Sequence, residues 1–165
     1  MLSWDKRPIE IATLLNPSFC CGILAAAAAG YSETDKNGLP LALSFLVLPC
    51  VLHRQTREHL PRTIRTSLAV WLQEKPGVKV GFIDRAFSLK PFTREGLLFA
   101  VSQEVVNIGS EGKIVTEYTS KNVKDWANRL KNETGECVNK AFFVGKWFSL
   151  SGTTETVIAL WGVAP

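Results

Sequence analysis

Histidine is scarce in this chain, with only His53 and His59 present among 165 residues. The four cysteines, Cys20, Cys21, Cys50 and Cys137, include no CxxC pair. Their spacing fits no zinc pattern. No GxxxxGKS/T sequence occurs, so the chain brings no P-loop of its own for ATP. The acidic residues show no spacing that suggests a two-carboxylate site. Cys50 and His53 are the one conceivable nucleophile and base, but Cys50 stands in an apolar run and no third group is evident to orient the pair. A small hydrolase built on them is therefore the weakest reading. The expectation is a protein without catalytic residues, cofactor or metal.

Long membrane-spanning runs are also missing. Phe19 to Ala29 holds five consecutive alanines and resembles a signal-peptide core. Its flank, however, carries Asp5 and Glu10 beside Lys6 and Arg7, and Pro17 interrupts it. Cleavage is not expected. Leu39 to Leu52 is apolar but too short to span, and it contains Pro40 and Pro49. A buried core element explains it better. The cysteines read as buried apolar thiols in a reducing cytoplasm, and the adjacent pair Cys20-Cys21 cannot readily bridge to each other.

What is present is an ordinary globular composition, 46% apolar and 21% charged, enough to bury a core without staples. The length suits one domain over residues 1–165, or two small lobes sharing a core. A net charge of +4 permits an anionic partner without demanding one.

The pattern predicts a mostly α-helical α+β protein. Pro8 opens a first helix with Ile9, Ile11, Ala12, Leu14 and Leu15 on one face, and Asn16-Pro17 ends or kinks it. A second helix, Ser18 to Gly30, is apolar nearly all round and belongs at the centre of the core. Leu41 to Leu48 is a buried strand or a buried helix, and periodicity alone cannot decide. Thr66 to Lys75 is an amphipathic helix closed by Pro76-Gly77.

The segment from Val78 to Tyr118 reads as a helix-turn-helix followed by a wing. Val78 to Leu89 suits a first helix, and Lys90-Pro91-Phe92 breaks it. Thr93 offers an N-cap, Glu95 lies in the first turn, and Phe92 and Leu97 form a hydrophobic staple. Residues 105–108, 109–112 and 113–118 read as strand, turn and strand. The expected winged-helix part spans about residues 62–118, with a helical N-terminal part, 8–52, and a C-terminal part, 120–165, packed on it. Ser120 caps a helix through Leu130. Asn132 to Gly135 is a turn, Val138 to Leu150 a helix, and Thr153 to Trp161 an element of open type. The aromatic set Phe142, Phe143, Trp147, Phe148 and Trp161 reads first as core.

The strongest interaction feature is the charge cluster over residues 53–65. Arg54, Arg57, Arg62 and Arg65 offer forked contacts to phosphate or carboxylate. The bland alternative is a solvated loop with one arginine in an internal ion pair. The helix Arg94 to Gln103 has an apolar interior and one cation, which argues against base reading. The wing carries Lys113 against Glu111 and Glu117, so its phosphate grip is weak.

Leu46-Val-Leu-Pro, Leu52-His-Arg-Gln-Thr-Arg-Glu-His-Leu-Pro, Trp71-Leu-Gln-Glu, Val80-Gly-Phe and Pro91-Phe-Thr-Arg-Glu-Gly-Leu-Leu-Phe-Ala together resemble the middle component of bacterial three-component ABC systems. The N-terminal Arg7-Pro-Ile-Glu-Ile-Ala-Thr-Leu-Leu-Asn-Pro-Ser-Phe-Cys and the closing Ala159-Leu-Trp-Gly-Val extend the likeness over most of the chain. The resemblance implies a non-catalytic cytoplasmic adaptor, encoded beside an ABC-type ATPase and an effector in a prokaryotic antiphage or conflict module. Within it Arg54, Arg57, Pro61 and the segment Pro91 to Glu95, with Phe92, Thr93 and Arg94 foremost, are places for contacts. A stand-alone winged-helix DNA-binding regulator is the alternative. Weak, non-specific nucleic-acid contact fits either reading, and no membrane contact is expected.

Overall fold

The computed structural model describes residues 8, 15–130 and 132–163. The expected first helix over residues 9–15 therefore lies almost wholly outside the described residues. The described chain folds into a helical body with one small sheet. Helix α1 (Pro17–Ser32) starts where Pro17 tolerates the missing N–H and the Asn16 side chain accepts from Phe19 N at 2.7 Å. Asn16-Pro17 thus acts as the cap of this helix. Its run Cys20 to Tyr31 is buried except for half-buried Gly22.

The alanine run has a packing reason. Small side chains let the backbone of α1 meet a neighbouring helix, α7 (Asn132–Ser149), at close range. Two glycines complete the fit: a Cβ on Gly30 would strike the Phe142 carbonyl, and one on Gly145 would strike the Ala27 carbonyl.

Strand β1 (Leu39–Pro40) leads into helix α2 (Leu41–Val51), which settles the strand-or-helix question for residues 41–48 as helix. Helices α3 (Arg54–His59) and α4 (Leu68–Glu74) come next, then a short 3-10 turn at Pro76–Lys79.

Helix α5 (Phe82–Ser102) overturns the helix-turn-helix expectation. It runs unbroken for 21 residues with Pro91 inside it. Proline in a helix interior costs about 3 kcal/mol. Phe82, Ala86, Leu97 and Ala100 are all buried along this helix, and burial of a large apolar side chain returns roughly 1.5–3 kcal/mol. One continuous buried face therefore outweighs the local break. Thr93 caps nothing: its hydroxyl donates back to the Leu89 carbonyl at 3.2 Å within the helix.

The hairpin forms where expected. Strands β2 (Asn107–Ile108) and β3 (Lys113–Val115) pair antiparallel, with Ile108 opposite Ile114. It is not a free wing, because β1 pairs with the other edge of β3, Leu39 opposite Ile114, in the order β1-β3-β2. Leu39 and Ile114 are fully buried. Gly38 makes the approach possible: its φ is +94°, and a Cβ there would stand 2.6 Å from the Ile114 carbonyl.

Helix α6 (Ser120–Leu130) buries Val123 and Ala127. Helix α7 starts at Asn132, so the expected turn at 132–135 is its first turn. Gly135 is small because the Ala127 carbonyl lies against it. Helix α8 (Thr154–Trp161) resolves the open C-terminal element: Thr153 accepts from Thr156 N at 3.3 Å, and Gly162 closes the helix at φ +74°. Trp147, Phe148 and Trp161 are buried and Phe142 and Phe143 half-buried, as a core reading requires. Trp71 meets Trp147 edge-on at 5.2 Å, and Phe82 stacks on Trp161 at 4.0 Å. The buried residues form one contiguous cluster.

Candidate interaction surfaces

The arginine cluster separates into three environments. Arg54, on α3, is exposed and pairs with Glu58 one turn on at 2.7 Å. That pair holds the Glu58 carboxyl below and the Arg54 guanidinium above their ordinary values, first through the shared hydrogen bond and then through charge. At so exposed a site it adds little to stability.

Arg57, also on α3, is 1% exposed. Its guanidinium donates to the Val51 carbonyl at 2.8 Å and pairs with Glu133 and Glu136 of α7. It is a structural tie between α3 and α7 and offers nothing to a partner, which corrects its assignment as a contact residue.

Arg62 and Arg65 are exposed, and neither makes an ion pair among the described residues. Their loop is held from below at both ends. The Trp71 indole N–H donates to the His59 carbonyl at 2.8 Å, and the Trp147 indole N–H donates to the Thr66 carbonyl at 2.7 Å. Leu60 is buried between them. Two aromatic residues of the core thus fix a surface loop and leave its arginines outward.

The segment Phe92, Thr93, Arg94 falls in the middle of α5 and divides by helical phase. Thr93 is fully buried, so its assignment as a contact residue is also corrected. Phe92 is half-buried against the core, and Arg94 is exposed.

Arg94 belongs to a surface that the sequence reading missed. Ile83, Phe87, Lys90, Arg94, Leu98 and Val101 are all exposed. At 3.6 residues per turn they fall within an arc of about 80° on α5. Phe87 is 59% and Leu98 72% exposed. Beside this stripe a groove of about 310 Å³ opens between α2, α5 and α8. Phe45 and Leu46 of α2, Ala86 and Phe87 of α5 and Ile158 of α8 supply apolar lining, and among the described residues the only charged ones lining it are Lys90 and Arg94. A larger hollow of about 610 Å³ is lined by Asp125 and Arg129 together, so it favours neither charge.

The conceivable Cys50–His53 pair is occupied otherwise. Cys50 is fully buried, and burial pushes its thiol well above the ordinary value. His53 is the N-cap of α3, its Nδ1 accepting from Thr56 N at 3.3 Å, and desolvation with the nearby Arg85 and Arg57 charges lowers its pKa. Among the described residues no group of three or more His, Cys, Asp or Glu side chains is placed to hold a metal, and no helix is long and apolar enough to cross a membrane.

Residues 4–165 match the family model described as ABC-three component system Middle Component 3. No curated protein and no solved structure matches the chain.

Proposed function

The chain belongs to the Middle Component 3 family of ABC-three component systems, and from that premise we propose that it is a non-catalytic cytoplasmic adaptor, joining an ABC-type ATPase to an effector in a prokaryotic antiphage or conflict system. An adaptor needs two surfaces that can be occupied at once. The observation carrying this reading is that outward cations lie on two separate elements: Arg62 and Arg65 on the loop between α3 and α4, and Lys90 and Arg94 on α5. Both sit on rigid supports, one pinned by two indole N–H groups and the other part of a 21-residue helix. A backbone already fixed in the free protein saves the entropy of ordering it on binding.

The stand-alone DNA regulator loses its motive, since the turn between two helices that it required is a continuous helix and one strand of the expected wing, β3, is the central strand of a three-stranded sheet. Co-expression with the neighbouring ATPase and effector genes, followed by size-exclusion chromatography with and without ATP, tests the adaptor. Co-elution of all three is expected, and separate elution at micromolar concentration refutes it.

A further inference from the structure

We propose that the groove between α2, α5 and α8 is a docking site for an acidic amphipathic helix of another component of the same system. This rests on the adaptor reading and names one of its two surfaces together with the chemistry that fits it.

The first argument is the apolar exposure along α5. Phe87 and Leu98 leave more than half of their surface in water. Ile83 with Phe87 and Leu98 with Val101 form two exposed apolar pairs that flank Lys90 and Arg94 on one face about 27 Å long, at 1.5 Å per residue. Large apolar side chains exposed on one helix face and rimmed by charge mark a contact surface more often than singly scattered ones do. The adjoining groove has three helical walls, which suits a helix laid in a groove rather than a strand added to a sheet edge.

The second argument is charge. Lys90 and Arg94 are one helical turn apart, so their Cβ atoms lie about 5–6 Å from each other. No acidic residue among the described ones lines the groove, and neither cation is ion-paired among the described residues. Two carboxylates spaced i and i+4 on a partner helix would meet both. Pro91 adds a polar feature on the same stretch of helix: it has no N–H to give, so the Phe87 carbonyl has no i+4 donor. Nucleic acid fits less well, because the lining is largely apolar and two cations neutralise few phosphates.

The test uses the complex of the co-expressed components. Lys90→Glu/Arg94→Glu is expected to weaken it on the order of tenfold or more, since like charges now face the partner's carboxylates. Lys121→Glu/Lys124→Glu on α6 makes the same change in net charge at exposed positions and is expected to leave binding unchanged. Thermal melts check each variant. Phe87→Ala/Leu98→Ala, which removes apolar contact without adding charge, is expected to weaken the complex as well and decides the matter if the charge-reversed protein melts early.

A photocrosslinking side chain in place of Leu98 is then expected to label a segment of the ATPase or effector with carboxylates at i and i+4 beside apolar residues. Reversing those carboxylates to lysine is expected to restore binding to the charge-reversed variant. Crosslinking to a second copy of the chain, or to its own residues, overturns the proposal. So does binding to phosphatidylserine vesicles that the charge reversal abolishes while the protein complex is unaffected. If the unaltered chain joins neither component, the adaptor reading fails and this one with it. If it joins them and both groove variants bind equally well, only the groove proposal fails.

Discussion

Gly145 of α7 lies against the Ala27 carbonyl of α1 so closely that no Cβ fits between them. The obstacle is backbone of the central helix, which cannot rotate aside as a side chain would. Gly145→Ala is therefore expected to lower stability by about 2–3 kcal/mol or more, by forcing α1 and α7 apart. Gly77, by contrast, has open space around its Cβ position. Gly77→Ala is expected to be neutral or to stabilise by up to about 1 kcal/mol, through a less free unfolded chain. Urea unfolding of the two variants compares them directly, and equal midpoints would remove the close-packing account of α1.

Arg57 and its two glutamates should respond unequally to substitution. Glu133 and Glu136 keep 64% and 44% of their side-chain surface, whereas Arg57 keeps 2%. Removing both carboxylates leaves a buried cation without compensation, so Glu133→Gln/Glu136→Gln is expected to cost about 3–5 kcal/mol. Arg57→Met leaves two solvated carboxylates and one carbonyl that still accepts from the Cys137 thiol at 3.5 Å. Its cost is expected to be the smaller of the two by chemical denaturation.

The thiols predict alkaline sensitivity. Burial raises Cys20 from 9.0 to about 12 and Cys21 to about 11. A group whose folded pKa is raised contributes stability that is complete below its unfolded pKa and is lost as pH rises through the folded value. Stability should thus hold up to about pH 9 and decline from there toward pH 12. Cys20→Ala should make that decline shallower. At pH 8 the folded protein should react slowly with a thiol reagent such as Ellman's, while all four cysteines react at once in denaturant. Rapid labelling of the folded protein would contradict the burial.

Arg62→Glu/Arg65→Glu changes two exposed side chains on the pinned loop. Melting should shift little, since such surface changes stay within about half a kcal/mol. Assembly with one partner component should weaken, and any weak DNA retention should vanish. That retention should be blind to sequence and lost with modest salt, because phosphate contacts alone supply it. A folded variant that assembles normally would make this loop a merely solvated one.

Much of the framework was legible beforehand, because its signals are local. The apolar run Ser18 to Gly30 marked α1 as the central helix, although Asn16-Pro17, which reads as the end of a preceding helix, is its cap. Gly109 to Gly112 between two short apolar segments marked the hairpin, and Val123 and Ala127 marked α6, although Thr119 and not Ser120 caps it, its Oγ1 accepting from Asn122 N at 3.4 Å. The four thiols read as buried because their spacing fits no zinc pattern and Cys20-Cys21 cannot readily bridge, and all four are buried. The likeness that led to the family was carried by short residue strings, and the family match covers residues 4–165.

The contact residues were less legible, because exposure depends on neighbours distant in sequence. Arg57 and Thr93 looked like surface groups until Glu133, 76 residues away, and the buried face of α5 were in place. Gly135 looked like a turn because a glycine needed for close approach is indistinguishable in sequence from one needed for a positive φ. Pro91 hid the groove altogether: read as a break, it destroyed the phase that aligns Phe87, Lys90, Arg94 and Leu98.

The sequence by itself determined that α1, α4, α6 and most of α7 are helical, which residues are apolar enough for the core, and which family the chain resembles. The tertiary structure alone decided that Pro91 lies inside one helix, which arginines face outward, and where the apolar groove opens. Local propensity near Pro91 favours a break by about 3 kcal/mol. The burial that overrides it is shared among side chains of several helices, and no window of sequence contains that sum.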